Sequence, residues 1–487
     1  MDPSTSNHPQ YGWLHDPYLW SFIFLFFFRY TRLIVNSIAY YLSRPFPIPS
    51  KPTFPLSDVT VVISTTNINT SVFTECVRSI LNHSISALII TTAGNAVPSQ
   101  ISAFLDNHQD PRIKLLHQSD PNRREQTAAA MPHIKTALLI LSDDHTFWPA
   151  HNTFLQSLIA PFENQRIGAV GTVLQARHHG YPISFKGFWN FMGMTYLARR
   201  IYEFLATNAI DGGLSCLSSR FAVFRTEIYA DPAFLRAYLN EYILFGLVGP
   251  LNADDDKFHT RWLTMHGWDI KIQSGPESVM ETTLGEYPKF LEQCVRWTRT
   301  TWRSNPRALF TEGVVWTRFP WTTYSILLYS FVRFSLFYEA VMFWLLHLCF
   351  QSHFQTSSIS YFETLATGVL AAWIMGMKFV KLIPHFLSYP VDLVYFPVYL
   401  LFGYFSSFVK IWAMLTCWDV YWGTAKKVPS SEKLEGKPED IALLESVEDS
   451  GMQVEEEELV VLESVIVEEV GGEGMSMEIV AEMKAAR

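Results

Sequence analysis

The chain has 487 residues, of which 15% are aromatic and only 17% charged, against roughly 25% charged in an ordinary soluble domain, so much of it must sit out of water. The formal net charge of −9 is concentrated at one end: residues 426–487 hold 17 Asp/Glu against 6 Lys/Arg, which leaves the remainder near +2. No basic stripe argues for nucleic acid, and Cys76, Cys216, Cys294, Cys349 and Cys417 show neither zinc-ligand spacing nor the pattern of a disulfide framework.

Residues 1–17 lack a basic n-region, and 18–43 are apolar enough to cross a bilayer, with Arg29 and Arg32 placed to snorkel or to mark the interface. This predicts a retained transmembrane anchor and not a cleaved leader. Residues 44–57 are proline-rich and predict a stiff linker. From 58 to 305, short β-branched runs alternate with helical stretches, the pattern of an α/β domain with a mainly parallel sheet. Strands are expected at 59–64, 87–91, 113–116 and 137–141, and a helix at 73–81. The polar motifs fall at strand C-termini, where ligands bind in open α/β sheets.

Residues 306–425 carry apolar blocks at about 322–350, 361–380 and 391–416, which predict transmembrane and interfacial helices. Lys378 and Lys381 follow the second block, whereas 351–360 has no Lys or Arg. The positive-inside rule then puts these lysines, and the α/β domain two crossings earlier, in the cytosol. The expectation is an integral protein of the plasma membrane with a cytosolic catalytic domain. The tail, 426–487, has no aromatic residue and is predicted to be disordered.

Five stretches bear on chemistry. Residues 139–149 read LILSDDHTFWP, a strand ending in two acids and a histidine. A hard divalent cation needs one or two carboxylates plus phosphates to neutralise a leaving diphosphate, so Asp144 is the first choice as metal ligand, with Asp143 and His145 assisting. Residues 252–262 read NADDDKFHTRW, three acids at a helix start. An inverting transfer needs one carboxylate opposite the leaving group to take the acceptor's proton; Asp256 is the candidate base and Asp255 the alternative. In PNRREQT, Arg123 and Arg124 sit in a polar loop and suit phosphate oxygens. Residues 287–307, YPKFLEQCVRWTRTTWRSNPR, predict a helix that presents Gln293, Arg296 and Trp297 on one face as a diphosphate grip beside a stacking ring. The stretch 211–225, DGGLSCLSSRFAVFR, reads either as a small-residue wall with Arg220 or as a plain turn before a strand.

With Asp143-Asp144, Asp254 to Asp256 and QCVRW in this order, the chain resembles the processive family 2 glycosyltransferases, the hyaluronan, chitin and cellulose synthases. It looks closest to the fungal type 2 glycosyltransferases linked to hyphal growth, through SDDHTFWP, ATNAIDGGLSCLSSR, DDDKFHTRWL, QCVRWTRTTWRSN and Trp422-Gly423-Thr424. The resemblance covers about residues 20–425. It implies a GT-A nucleotide-sugar-binding domain, a UDP-sugar donor, Mg2+ or Mn2+, inversion at the anomeric carbon, and a growing polysaccharide passed through membrane helices. By that comparison Asp144 matches the metal-binding acid, Asp256 the base, Arg123 and Arg124 the basic loop, and Gln293, Arg296 and Trp297 the acceptor and diphosphate grip. The chain departs from the family in having Thr91-Thr92-Ala93-Gly94 where an aspartate usually holds uracil, Ser142 as the first position of Asp-x-Asp, and Asp254-Asp255 in place of Thr-Glu. Two other readings stand beside polysaccharide synthesis: transfer of a single sugar to a membrane lipid, and a non-catalytic membrane scaffold built on a decayed transferase domain.

Overall fold

Hydrophobic runs that alternate between two faces build the strands, which are β1 (Val59–Thr65), β2 (Ala87–Ala93), β3 (Ile113–Gln118), β4 (Leu138–Ser142), β5 (Thr146–Phe147), β6 (Ile167–Thr172), β7 (Leu174–Ala176), β8 (Phe221–Arg225), β9 (Asp269–Gln273) and β10 (Met280–Thr282). The computed structural model describes residues 15–94, 98–243, 246–353 and 359–420, so the predicted disorder of the tail lies outside the described residues. Seven strands form one sheet in the order β3-β2-β1-β4-β8-β6-β9. Within it β8 runs against both neighbours and every other pair is parallel. All of β1 and β4 is buried, as expected of strands covered by helices on both faces. Val59, Val61 and Ile63 pack with Phe73, Val77, Ile80 and Phe154 on one side, while Val62, Leu139 and Leu141 pack with Phe204, Tyr229 and Phe234 on the other. Successive residues of a strand point to opposite faces, so one sequence run feeds two cores.

The four expected strands are present, with β2 and β3 each two residues longer than expected. The expected helix starts earlier, at Ser71, because the Thr70 hydroxyl accepts from the Phe73 N–H at 3.1 Å. A correction concerns Arg123 and Arg124. They do not sit in a loop but open the helix Arg123–Ala130, because the Asn122 side chain accepts from the N–H groups of Arg124 and Glu125. The short sheet β5-β10-β7 was not readable from the sequence; its strands are two or three residues long, too short for a period to show.

Three helices, Pro17–Leu42, Tyr361–Val380 and Pro390–Leu415, are long and apolar enough to cross a membrane. Pro320–Val332 and Ser335–Ser352 meet at 88° and pass the same test only together. These helices turn large apolar side chains outward, among them Phe24, Phe27, Leu365, Val369, Leu401 and Phe405, and their charges inward. Glu339 takes Arg29 at 2.5 Å and Lys378 at 2.9 Å. Lys381 meets Glu203 at 2.5 Å, on the long helix Phe185–Ile210, which also packs against Pro17–Leu42. The two lysines counted as loop charges are therefore held in ion pairs.

Beneath the sheet's ligand-facing rim, Glu241 is 4% exposed and gathers Arg124 at 2.8 Å, Arg307 at 3.3 Å and Arg261. Removing one partner of a buried ion pair strands the others without solvation. Glu241→Gln is expected to destabilise the protein by about 3–5 kcal/mol, read as a lowered thermal unfolding midpoint in detergent. An unchanged midpoint would show that this cluster does not hold the fold.

Candidate active site

The reversed strand β8 determines what meets what at the catalytic rim. Because β8 is antiparallel to β4, its start lies beside the end of β4, and the Asp143 N–H donates to the Arg220 carbonyl at 2.9 Å. Two residues far apart in the chain thus share one edge.

Arg123 joins that edge to the helix Asp255–Met265. Its guanidinium lies 2.5 Å from Asp143 and 3.1 Å from Asp255, and it donates to the Ser219 carbonyl at 2.7 Å. Burial pulls the Arg123 pKa down, but Asp143 and Asp255 more than offset it, and the group is held firmly protonated. Burial likewise opposes ionisation of Asp143, and Arg123 reverses the direction, so its carboxyl is held below the usual range.

The three adjacent acids have three different partners. Asp254 takes the left-handed conformation, φ 65°, and is bound by Arg303 at 2.5 and 2.8 Å and by Thr300 at 2.6 Å, which ties it to the helix Lys289–Pro306. Asp255 is committed to Arg123, with the Ser219 hydroxyl at 3.3 Å. Asp256 faces the cavity with 21% of its side chain exposed; its Oδ2 accepts from the Cys216 thiol at 2.9 Å and lies 3.7 Å from Arg200. Burial and then the Asp256 charge push the Cys216 thiol well up, so it stays a donor.

Asp144 points to the other side of the turn. It accepts from the Thr65 hydroxyl at 2.8 Å and from His145 Nδ1 at 2.7 Å, while His145 Nε2 is 2.9 Å from Arg220. The tautomer assigned from these contacts carries its proton on Nδ1. From the helix Lys289–Pro306, Gln293, Arg296 and Trp297 all reach the same space. Trp297 stacks on Tyr196 with ring centroids 4.6 Å apart and lies 5.7 Å from the Arg220 guanidinium.

Together these side chains enclose a cavity of about 260 Å³, lined among others by Arg123, Asp143, His145, Asp255, Asp256 and the Gln293/Arg296/Trp297 face. Asp144 stands just outside the lining and is joined to it through His145. Of the expected site residues, Arg124 is the one the fold takes elsewhere. It is 1% exposed and donates to Glu241, the Tyr238 carbonyl and the Ala253 carbonyl, so its guanidinium braces the fold instead of facing a ligand. Asp143 and Asp255, expected as a metal ligand and an alternative base, are both engaged by Arg123.

Sequence reasoning passed over Arg200, Cys216 and Tyr196 and held Arg220 loosely. Adjacent arginines within LARRIYEF and another just before a strand were the available signals. Burial, against the pull of Asp143, together with Arg296 and Arg200 brings the Arg220 guanidinium down to about 10. Burial also lowers Arg296. An anion entering between these two cations would offset that cost of burial.

The family model described as glycosyltransferase-like family 2 matches residues 55–300. The chain belongs to this family. This family 2 glycosyltransferase is 36% identical over 422 residues to a type 2 glycosyltransferase of Zymoseptoria tritici, covering 86% of this chain and 85% of that one. It is 34% identical over 427 residues to a type 2 glycosyltransferase of Gibberella zeae, covering 87% and 79%. A solved mannosyltransferase from Pyrobaculum calidifontis, in complex with GDP-Man and Mn2+, superposes with a TM-score of 0.48 at 14% identity, covering 77% of this chain and 96% of that one. The fold is of the GT-A type, and the family reaction is sugar transfer from a nucleotide-sugar.

Arg220→Gln is expected to weaken nucleoside diphosphate binding about tenfold or more, the usual loss for a charged hydrogen bond, whereas Arg124→Gln leaves it unchanged in protein that remains folded. Calorimetric titration with UDP separates the two; equal losses would return Arg124 to the ligand site.

Proposed function

We propose that the protein is a membrane-embedded, inverting, metal-dependent hexosyltransferase that moves sugar from a UDP-sugar to a growing extracellular or cell-wall polysaccharide, adding residues repeatedly and coupling addition to export. The observation that carries this reading is the convergence of Asp256, Arg296 and Trp297 on one cavity beside helices able to cross a membrane. A domain from about residue 58 to 305, flanked by an anchor at 18–43 and helices at 306–425, is the matching organisation. The catalytic domain is assigned to the cytosolic side of the plasma membrane.

Asp256 is the general base. Of the three neighbouring acids it alone has no arginine within 3.5 Å among the described residues. As the acceptor oxygen attacks the anomeric carbon from the face opposite the diphosphate, its proton passes to the Asp256 carboxylate and the bond to the diphosphate breaks. Arg220 and Arg296 stabilise the negative charge that develops on the leaving phosphates. Trp297, backed by Tyr196, offers the acceptor sugar a rigid ring.

A divalent cation suits the Asp144 corner in one respect. No group of three His, Cys, Asp or Glu side chains among the described residues forms a closed metal cage, and Mg2+ typically uses one or two carboxylates plus substrate phosphates instead. Asp144, with a third of its side chain open and His145 beside it, supplies such a carboxylate. When bound, the ion would neutralise the leaving diphosphate.

Asp256→Asn is expected to lower UDP release from a UDP-sugar about 10²–10⁴-fold, the usual contribution of a general base, while donor affinity stays within about threefold. Retained turnover would remove Asp256 from the mechanism. Assays with UDP-GlcNAc, UDP-glucose and UDP-glucuronate, followed by sizing of the product, test donor and repeated addition. EDTA is expected to stop UDP release and Mn2+ to restore it; full activity in EDTA would sink the metal assignment.

A further inference from the structure

A second cavity, of about 120 Å³, lies among the membrane helices and is lined by Arg29, Arg32, Arg199, Arg333, Lys378 and Lys381. Arg32, Arg199, Tyr329 and Arg333 line both this space and the catalytic cavity, so the two adjoin. Lys410 is close by, donating to the Arg333 carbonyl.

Among the described residues two carboxylates answer these seven cations. Glu203 meets Arg32 at 3.7 Å, Arg333 at 3.5 Å and Lys381, and Glu339 meets Arg29 and Lys378. Arg199 has no carboxylate: it donates to the Thr195 carbonyl at 3.3 Å and lies 5.5 Å from the Tyr399 ring. Donor capacity is left over as well. Arg29 Nη1 and Arg32 Nε are buried without a hydrogen-bond partner, and the Arg32 side chain is only 7% exposed. Excess charge of one sign between apolar helices is costly, and intramembrane cations mark ligand sites when their partners do not balance them.

Guanidinium forks match phosphate oxygens. The remaining walls are apolar, with Leu33 from the helix Pro17–Leu42, Ile374 and Met377 from Ile359–Val380, and Leu400 from Phe396–Leu415. Cations and aliphatic side chains in one small space fit a ligand that is anionic at one end and hydrocarbon at the other.

We propose that this cavity binds the phosphate headgroup of a membrane lipid, with the phosphate among Arg32, Arg199 and Arg333 and the lipid chain against Leu33, Ile374, Met377 and Leu400. Binding itself needs only the cavity. That the lipid presents its headgroup to the acceptor side of the transfer site rests on the function proposed above.

The test uses the full-length protein in detergent and two substitutions that leave no carboxylate stranded, Arg199→Gln and Arg199→Met. Native mass spectrometry is run with phosphatidic acid, with diacylglycerol and with inorganic phosphate as probes, and UDP titration reports whether each variant is folded. The wild type is expected to retain phosphatidic acid and not diacylglycerol, and each substitution to lower retention about tenfold, the scale of one charge-assisted hydrogen bond. Two results would overturn the proposal: equal retention by variants that still bind UDP, or inorganic phosphate competing as well as phosphatidic acid does, which would mean a free-anion site. If phosphatidic acid is retained by wild type and lost by the variants while no sugar is transferred, the lipid site stands and the proposed function falls.

Discussion

One guanidinium holds the catalytic rim together. Arg123, at the first turn of its helix, draws Asp143 from the end of β4 and Asp255 from the start of a helix more than a hundred residues later into one ion cluster. Two carboxylates brought this close and buried would repel unless a fixed cation stood between them. Because Asp143 and Asp255 are held, their neighbours Asp144 and Asp256 are turned outward on either side of the clamp. Asp144 goes to Thr65 and His145, and Asp256 to the cavity. The acids proposed as base and metal ligand are thus aimed by the ion-paired ones beside them.

The same division of labour recurs among the arginines. Arg124 and Arg303 are satisfied by carboxylates and carbonyls and hold elements in place. Arg220 and Arg296 line the cavity instead, where burial depresses both pKa values and the Arg296 charge adds to the effect on Arg220. Arginines that brace the fold and arginines that line the cavity are separated by what surrounds them. Sequence proximity does not separate them, as Arg123 and Arg124 show.

Membrane and catalytic parts meet through charge as well as through packing. Glu203, on the helix Phe185–Ile210, pairs with Arg32, Arg333 and Lys381 from three membrane-side segments. On that same helix Arg199 lines both cavities and Arg200 the large one. A single helix therefore touches Pro17–Leu42, lines both cavities and reaches Asp256 through Arg200.

Much was legible from the residues alone. Runs rich in Val, Ile, Leu and Thr announced β1, β2 and β4, and long apolar blocks with few charges announced the membrane helices, because burial on all sides or contact with lipid demands a composition that surface segments rarely have. The order of Asp143-Asp144, Asp254 to Asp256 and QCVRW announced the family. Only the tertiary structure decided which of several neighbouring acids and arginines face the cavity, since adjacent side chains share composition and charge and differ only in direction. The sequence left Arg220 undecided between a wall residue and part of a plain turn for a related reason: its place beside Asp143 comes from the antiparallel pairing of β8 with β4, a long-range choice that no local pattern encodes.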